Sequence, residues 1–300
     1  MFQLISDGGC DFTKAEAKTH NIEVVPFYIT FDGESHLKEG VDITREAYFK
    51  RLVEEKNLFP KTAQPSPQDY IDVFTPYLQA GKDIIVLTIS SKLSGSHNSA
   101  TLAAGMMADD FPNRKIVVLD SQNVTMGQAL IMREMVKMRD SGMSIAETAR
   151  IAEKVIQSAK VYFTLDTLEY LKRGGRVGPT TAFVGGILNL RPILHLENGE
   201  VAQLDNVRGK QKALSLMVEG VAAVLTGETQ NVEISIGHIF NELEATAFKA
   251  NLEAALGAKI PGQLAEVGAT IGTHAGPGAI AIAYCRKYET FAVSALQKGA

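Results

Sequence analysis

Apolar positions in the first half of the chain alternate between strand-like runs and helical spacing. Residues 2–5 and 22–31 read as β-strands, the first broken by Asp7-Gly8-Gly9 and the second ended by the turn Asp32-Gly33. From Thr44 to about residue 56 the spacing is helical, with Tyr48, Leu52 and Val53 on one face. A further helix is announced by Ser66 as N-cap, Pro67 in the first turn and Asp69 near the start. Its apolar positions Tyr70, Val73, Phe74, Tyr77 and Leu78 keep one face; Pro76 should kink it and Gly81 close it. Residues 83–89 follow, and the unbroken run Ile84-Ile85-Val86-Leu87 is what a parallel strand covered on both faces looks like. The alternation continues with a helix after Ser94, a strand at 115–119 and a helix at 126–139 stopped by Ser141-Gly142. Ser144 and Glu147 then form a capping box for one more helix. This order predicts an α/β fold with a doubly wound, mostly parallel sheet, whose ligand site lies at the carboxyl ends of the strands.

Past about residue 160 the texture changes. A strand at 161–165 leads into the basic turn Lys172-Arg173-Gly174-Gly175-Arg176. Apolar runs at 192–196 and 200–204 flank Glu197-Asn198-Gly199, and Asn-Gly between such runs is a strong hairpin signal. Helical patterns at 211–225 and 242–256 alternate with strands at 232–239, 263–267 and 279–284, and the last two strands enclose a Gly-rich loop at 272–278. The expected organisation is an α/β domain over residues 1–160, an α+β domain with a mostly antiparallel sheet over 161–288, and a tail over 289–300, with a ligand held in the interdomain region.

Composition narrows the class. The chain has 300 residues, 45% of them hydrophobic and 21% charged, which suits a soluble protein able to bury two cores. A net charge of -4 gives no electrostatic footprint for nucleic acid, and no apolar stretch reaches the roughly 18 residues a membrane span needs. A cytoplasmic location is therefore the expectation. Cys10 and Cys285 stand at opposite ends of the sequence and fit neither a disulfide framework nor a metal pattern.

The chemistry-bearing stretch is Ser90-Ser91-Lys92-Leu93-Ser94-Gly95-Ser96, which joins the buried strand at 83–89 to the helix after it. Small hydroxyls and backbone N–H groups at a strand-to-helix junction make an anion cradle, so Ser94, Gly95 and Ser96 are candidate ligand donors, although a helix cap uses the same residue types. Thr62, just upstream of the capped helix, has no evident structural duty. Arg176 in the basic turn and His274 in the Gly-rich loop are candidate partners for an anion; as surface charge and loop-former they would need no ligand. Cys10 has no identifiable activating base, and His97 and His238 lack metal-ligand spacing. There is no Walker lysine, no complete GxGxxG and no GxSxG elbow. The residues alone support an anion-headed small molecule. They leave open a sugar-phosphate-binding enzyme that uses the Ser/Gly loop with RGGR as counter-charge.

Taken in order, TAQPS at 62–66, SSKLSGS at 90–96, LEYLKRGGRVG at 168–178, NVRGKQKAL at 206–214 and GTHAGPGA at 272–279 closely resemble the motifs of the DegV family, over the chain to about Tyr288. Members of that family are bacterial fatty-acid-binding proteins, and several serve as the acyl-carrying subunit of fatty acid kinase. The resemblance implies a long-chain fatty acid such as palmitate or oleate in a buried tunnel, its carboxylate bonded by Thr62 and Ser94 and bordered by Arg176 and His274. It also implies that Arg208 belongs to a segment that docks an ATP-dependent kinase, with no catalytic residue, cofactor or metal on this chain. One departure is local: where the family carries Asp followed by Ser or Thr, this chain reads Asp7-Gly8-Gly9-Cys10. Candidate tunnel walls are the apolar stretch 182–190 and the helix after Ser94, with Leu102, Met106 and Met107.

Overall fold

A computed structural model describes residues 2–55, 58–177 and 190–296, so most of the stretch 182–190 proposed as a tunnel wall lies outside the described residues. The first half holds a parallel sheet in the order Ile22–Val25, Gln3–Asp7, Ile84–Thr88, Ile116–Asp120. Alternation along each strand splits its side chains between two cores. Ile5, Ile84 and Val86 face the helices Pro67–Gln79 and Ser96–Met107, whereas Leu4, Ile85 and Leu87 face the helices Thr125–Asp140 and Ile145–Ser158. Local signals start two of these four helices. Ser66 with Asp69, and Ser144 with Glu147, both form complete capping boxes.

The second half is a six-stranded sheet in the order Glu200–Arg208, Leu190–Glu197, Lys160–Thr164, Ile280–Arg286, Val232–His238, Ala265–Glu266. All its pairings are antiparallel except the last. Its outer face is covered by the helices Lys210–Leu225 and Glu242–Leu256 through a second apolar cluster. Its inner face packs on Thr125–Asp140, which is therefore buried between the two sheets. Gly127 makes that approach possible, since a Cβ there would stand 2.5 Å from Val161 Cγ2. Asn198 and Gly199 turn the hairpin with φ of 51° and 83°, the left-handed pair a tight two-residue turn requires.

Four expectations change. The strand-like run at 22–31 is two strands: after Pro26 the chain leaves the parallel sheet, and Tyr28–Thr30 joins a small antiparallel sheet with Leu37–Lys38 and Lys61–Ala63. Pro26 has no N–H for a ladder, so the break is local chemistry. The strand at 263–267 shortens to Ala265–Glu266, and the Gly-rich loop at 272–278 is largely a helix, Ala269–Ala275. The helix after Ser94 does not turn Leu102 and Met106 inward: they are 50% and 64% exposed, while Met107 packs on the far side of the sheet with Tyr70 and Phe74. None of the three lines the cavity described below. In the segment read as a tail, Glu289–Leu296 is helical.

Candidate functional site

The serine loop is shaped from beneath by a buried carboxylate. Asp7 ends the first strand and accepts hydrogen bonds from the N–H groups of Gly9 and Ile89, from Ser96 Oγ at 2.6 Å and from Gln128 Nε2 at 2.9 Å. Burial pushes its carboxyl above the usual carboxylate range, and the four donors pull it back. Ser96 is fully buried and its hydroxyl also meets Tyr70 Oη at 2.7 Å, so its side chain belongs to this foundation and does not line the cavity that Ser94 borders. That differs from its expected place among the ligand donors. The reason is helical geometry: Gly95 is the N-cap, and the first residue of the helix turns its side chain back onto the sheet. The Ser96 N–H donates to Ser94 Oγ at 3.2 Å. That bond occupies a lone pair of Ser94 and leaves its proton for another acceptor.

Thr62 arrives from the small sheet, where it pairs in register with Ile29. Its Oγ1 lies 2.8 Å from Nε2 of His274. His274 sits in the last turn of Ala269–Ala275, a helix held at its start by Glu39, whose two carboxylate oxygens accept from Ala269 N at 2.6 Å and Thr270 N at 2.9 Å. Tyr48 Oη fixes the same helix through Thr273 Oγ1 at 2.8 Å. Arg176 closes the group from the basic turn: its Nε donates to the Leu93 carbonyl at 3.1 Å and its Nη1 to the Gly174 carbonyl. Gly174 is there for space. A Cβ on it would fall 2.1 Å from His274 Nδ1, an atom sealed from solvent and without a partner among the described residues.

Burial, helped by the Arg176 guanidinium, pushes the His274 imidazole down to about 4, so the ring is neutral at neutral pH. A histidine whose folded pKa lies below its unfolded value near 6.5 costs stability as pH falls from about 6.5 towards 4, because the unfolded chain binds the proton first. In a pH series of thermal melts, the wild type is therefore expected to lose stability relative to His274→Gln over that window. A parallel pair of curves would contradict the buried neutral ring.

Thr62, Ser94, Arg176 and His274 all line a cavity of about 350 Å³ whose remaining wall is mainly apolar, with Phe27, Ile89, Leu93, Val124, Phe163 and Leu196. Residues from both halves of the chain build it, and its size falls within the roughly 300–1,000 Å³ of small-molecule sites. Thr62, Arg176 and His274 also border a second cavity of about 480 Å³ lined by Lys61, Arg173, Tyr170 and Phe59. There the Arg173 guanidinium stacks 3.7 Å from the Phe59 ring centroid and pairs with Glu169 at 2.8 Å. The polar cluster is thus a partition, apolar on one side and basic on the other.

The model of the DegV family matches residues 1–287. The chain belongs to the DegV family. A DegV domain-containing protein of Caldanaerobacter subterraneus is 33% identical over 290 residues, covering 95% of this chain and 98% of its own. Among solved structures, a stearic-acid-binding protein from Eubacterium ventriosum superposes with a TM-score of 0.91 at 32% identity, covering 97% of this chain and 100% of its own. A DegV family protein from Thermus thermophilus described for its fatty acid binding superposes with a TM-score of 0.83 at 30% identity, over 95% of this chain and 99% of its own. The family carries both the parallel sheet and the α+β half described above.

Other sequence candidates take different places in this DegV chain. Cys10 is buried and its thiol is pushed up to about 12 by desolvation, which leaves it protonated and unreactive at neutral pH. His97 Nδ1 lies 3.2 Å from Thr88 Oγ1, and His238 accepts from Asn241 N. Arg208 is exposed at the end of the edge strand Glu200–Arg208 and borders neither cavity. Two residues later, Lys210 is tied to Asp166, Glu244 and the Gly278 carbonyl, which accounts for part of the NVRGK motif structurally. Glu39 and Tyr48 are site-building residues that no sequence motif announced, and Gln64 is one within the TAQPS motif to which the sequence alone assigns no role.

Proposed function

We propose that this protein binds a long-chain fatty acid, with its carboxylate between Thr62 and Ser94, bordered by Arg176 and His274, and its acyl tail in the apolar cavity. The observation that carries this is the partition: Thr62, Arg176 and His274 are shared by an apolar cavity of about 350 Å³, which Ser94 also lines, and a basic one of about 480 Å³. A sugar phosphate has no use for the first, whereas an amphiphile uses both. Affinity would come mainly from the tail, at about 0.8 kcal/mol for each buried methylene before ordering costs, and orientation from the head group. The relatives described as binding fatty acids support the same ligand class.

In this reading the protein is a non-catalytic carrier that presents the carboxylate, through the basic cavity, to an ATP-dependent fatty acid kinase that makes acyl phosphate. Native mass spectrometry with lipid extraction of freshly purified protein should show a bound fatty acid. Protein that is empty and also fails to take up palmitate or oleate would sink the proposal. If Arg208 serves kinase docking, Arg208→Glu should lower acyl phosphate formation in a reconstituted reaction at least about fivefold while palmitate binding stays unchanged, as loss of a surface charge from a docking face does. Equal rates for the two proteins would remove Arg208 from the docking surface.

A further inference from the structure

Thr62 and Ser94 belong to elements that approach each other only in the folded chain, so something must fix the spacing of their hydroxyls. Gln64 links the two elements. It follows Thr62 by two residues, lines the same cavity, and its Nε2 donates to Ser99 Oγ at 3.1 Å, one turn into the helix that Gly95 caps. Ser99 is itself buried, at 3% exposure, so the helix end of this bond is rigid. The amide also occupies the volume of an absent side chain: a Cβ on Gly95 would lie 2.3 Å from Gln64 Oε1, 2.7 Å from Nε2 and 2.8 Å from Cδ. Gly95 is therefore not needed for its backbone angles, which are ordinary, but for the room it gives this amide.

We infer that Gln64 is a positioning residue that clamps the Thr62 strand to the Ser94 loop and, as a neutral group beside the head-group position, lets the site accept an anion. The inference rests on the fatty acid reading and adds a specificity device to it. A residue that only held the fold would matter equally for any ligand of the same tail. The clamp matters for the charged head alone, because only a carboxylate needs both hydroxyls at once and is repelled by a charge placed next to it.

Palmitate and hexadecanol, which share a tail length, separate the two cases. Binding of both to purified wild type, Gln64→Ala, Gln64→Glu and Gly95→Ala is measured by displacement of a fluorescent fatty acid, with a thermal melt for each variant. Gln64→Ala and Gly95→Ala should weaken palmitate about tenfold and hexadecanol less than about twofold, and Gln64→Glu should weaken palmitate further through like-charge repulsion. Since Gln64 is exposed, its variants should melt close to wild type. Equal losses for acid and alcohol, or no loss for either, would overturn the clamp while leaving fatty acid binding intact. A wild type that binds neither ligand would overturn the fatty acid reading and the clamp with it.

Discussion

Replacing Thr62 and Ser94 together by alanine should weaken palmitate binding by about 100-fold or more while leaving the fold in place. Hydrogen bonds to a charged group contribute about 1.5–3 kcal/mol each, and about 1.4 kcal/mol is tenfold in affinity, so losing two gives at least two decades. The fold should tolerate the change because neither hydroxyl supports the core. Among the described residues, Ser94 Oγ receives a single bond, from the helix start, and Thr62 Oγ1 meets only His274. Ser96→Ala is the instructive contrast. Its hydroxyl donates to the buried Asp7 carboxyl group, so its loss leaves a buried acceptor short of a donor and should cost about 1–3 kcal/mol of stability. Isothermal titration and denaturant melts on the two variants separate the roles. Similar effects of both on binding and on stability would show that Ser94 is no more a ligand donor than Ser96.

The second large effect is expected at Gly174. A methyl group there falls 2.1 Å from His274 Nδ1, so the ring must shift from the position in which Nε2 meets Thr62. Gly174→Ala should therefore break the Thr62–His274 contact, cost about 1–3 kcal/mol of stability as overpacking does, and weaken palmitate at least about tenfold. The neighbouring glycine gives the control. Gly175 has φ of 67° and open space around its Cβ position, so Gly175→Ala should cost only the backbone strain, about 1–2 kcal/mol, and leave binding nearly unchanged. Equal losses of palmitate binding in the two variants would mean that the basic turn needs its glycines for conformation alone, and that His274 is not pinned.

How much of this was legible in the chain divides by range. Capping boxes, the Asn198-Gly199 hairpin and the continuous apolar run of the central strand are decided within a few residues, and each stands where its local chemistry put it. The serine loop was legible as a strand-to-helix junction for the same reason. What the sequence hid is the set of contacts that assemble the site, because they join residues 212, 225 and 230 positions apart: Thr62 with His274, Tyr48 with Thr273, and Glu39 with the start of the His274 helix. That helix itself was unreadable. Its Gly and Thr residues are poor helix formers, and a carboxylate from the other end of the chain supplies its cap. Leu102 and Met106 mislead for a related cause. Helical spacing shows which residues share a face, and here the exposed face of the helix carries two apolar side chains. The motif order pointed to the family, and four of the five motifs meet at the partition; the fifth, at 206–214, lies away from both cavities.

The most direct test is a crystal structure of the protein loaded with palmitate. The carboxylate should lie within hydrogen-bond distance of Thr62 Oγ1 and Ser94 Oγ, with the tail running past Phe27, Val124 and Leu196. Palmitate seated elsewhere, for instance in the separate cavity of about 470 Å³ bordered by Arg45 and Arg133, would contradict the account.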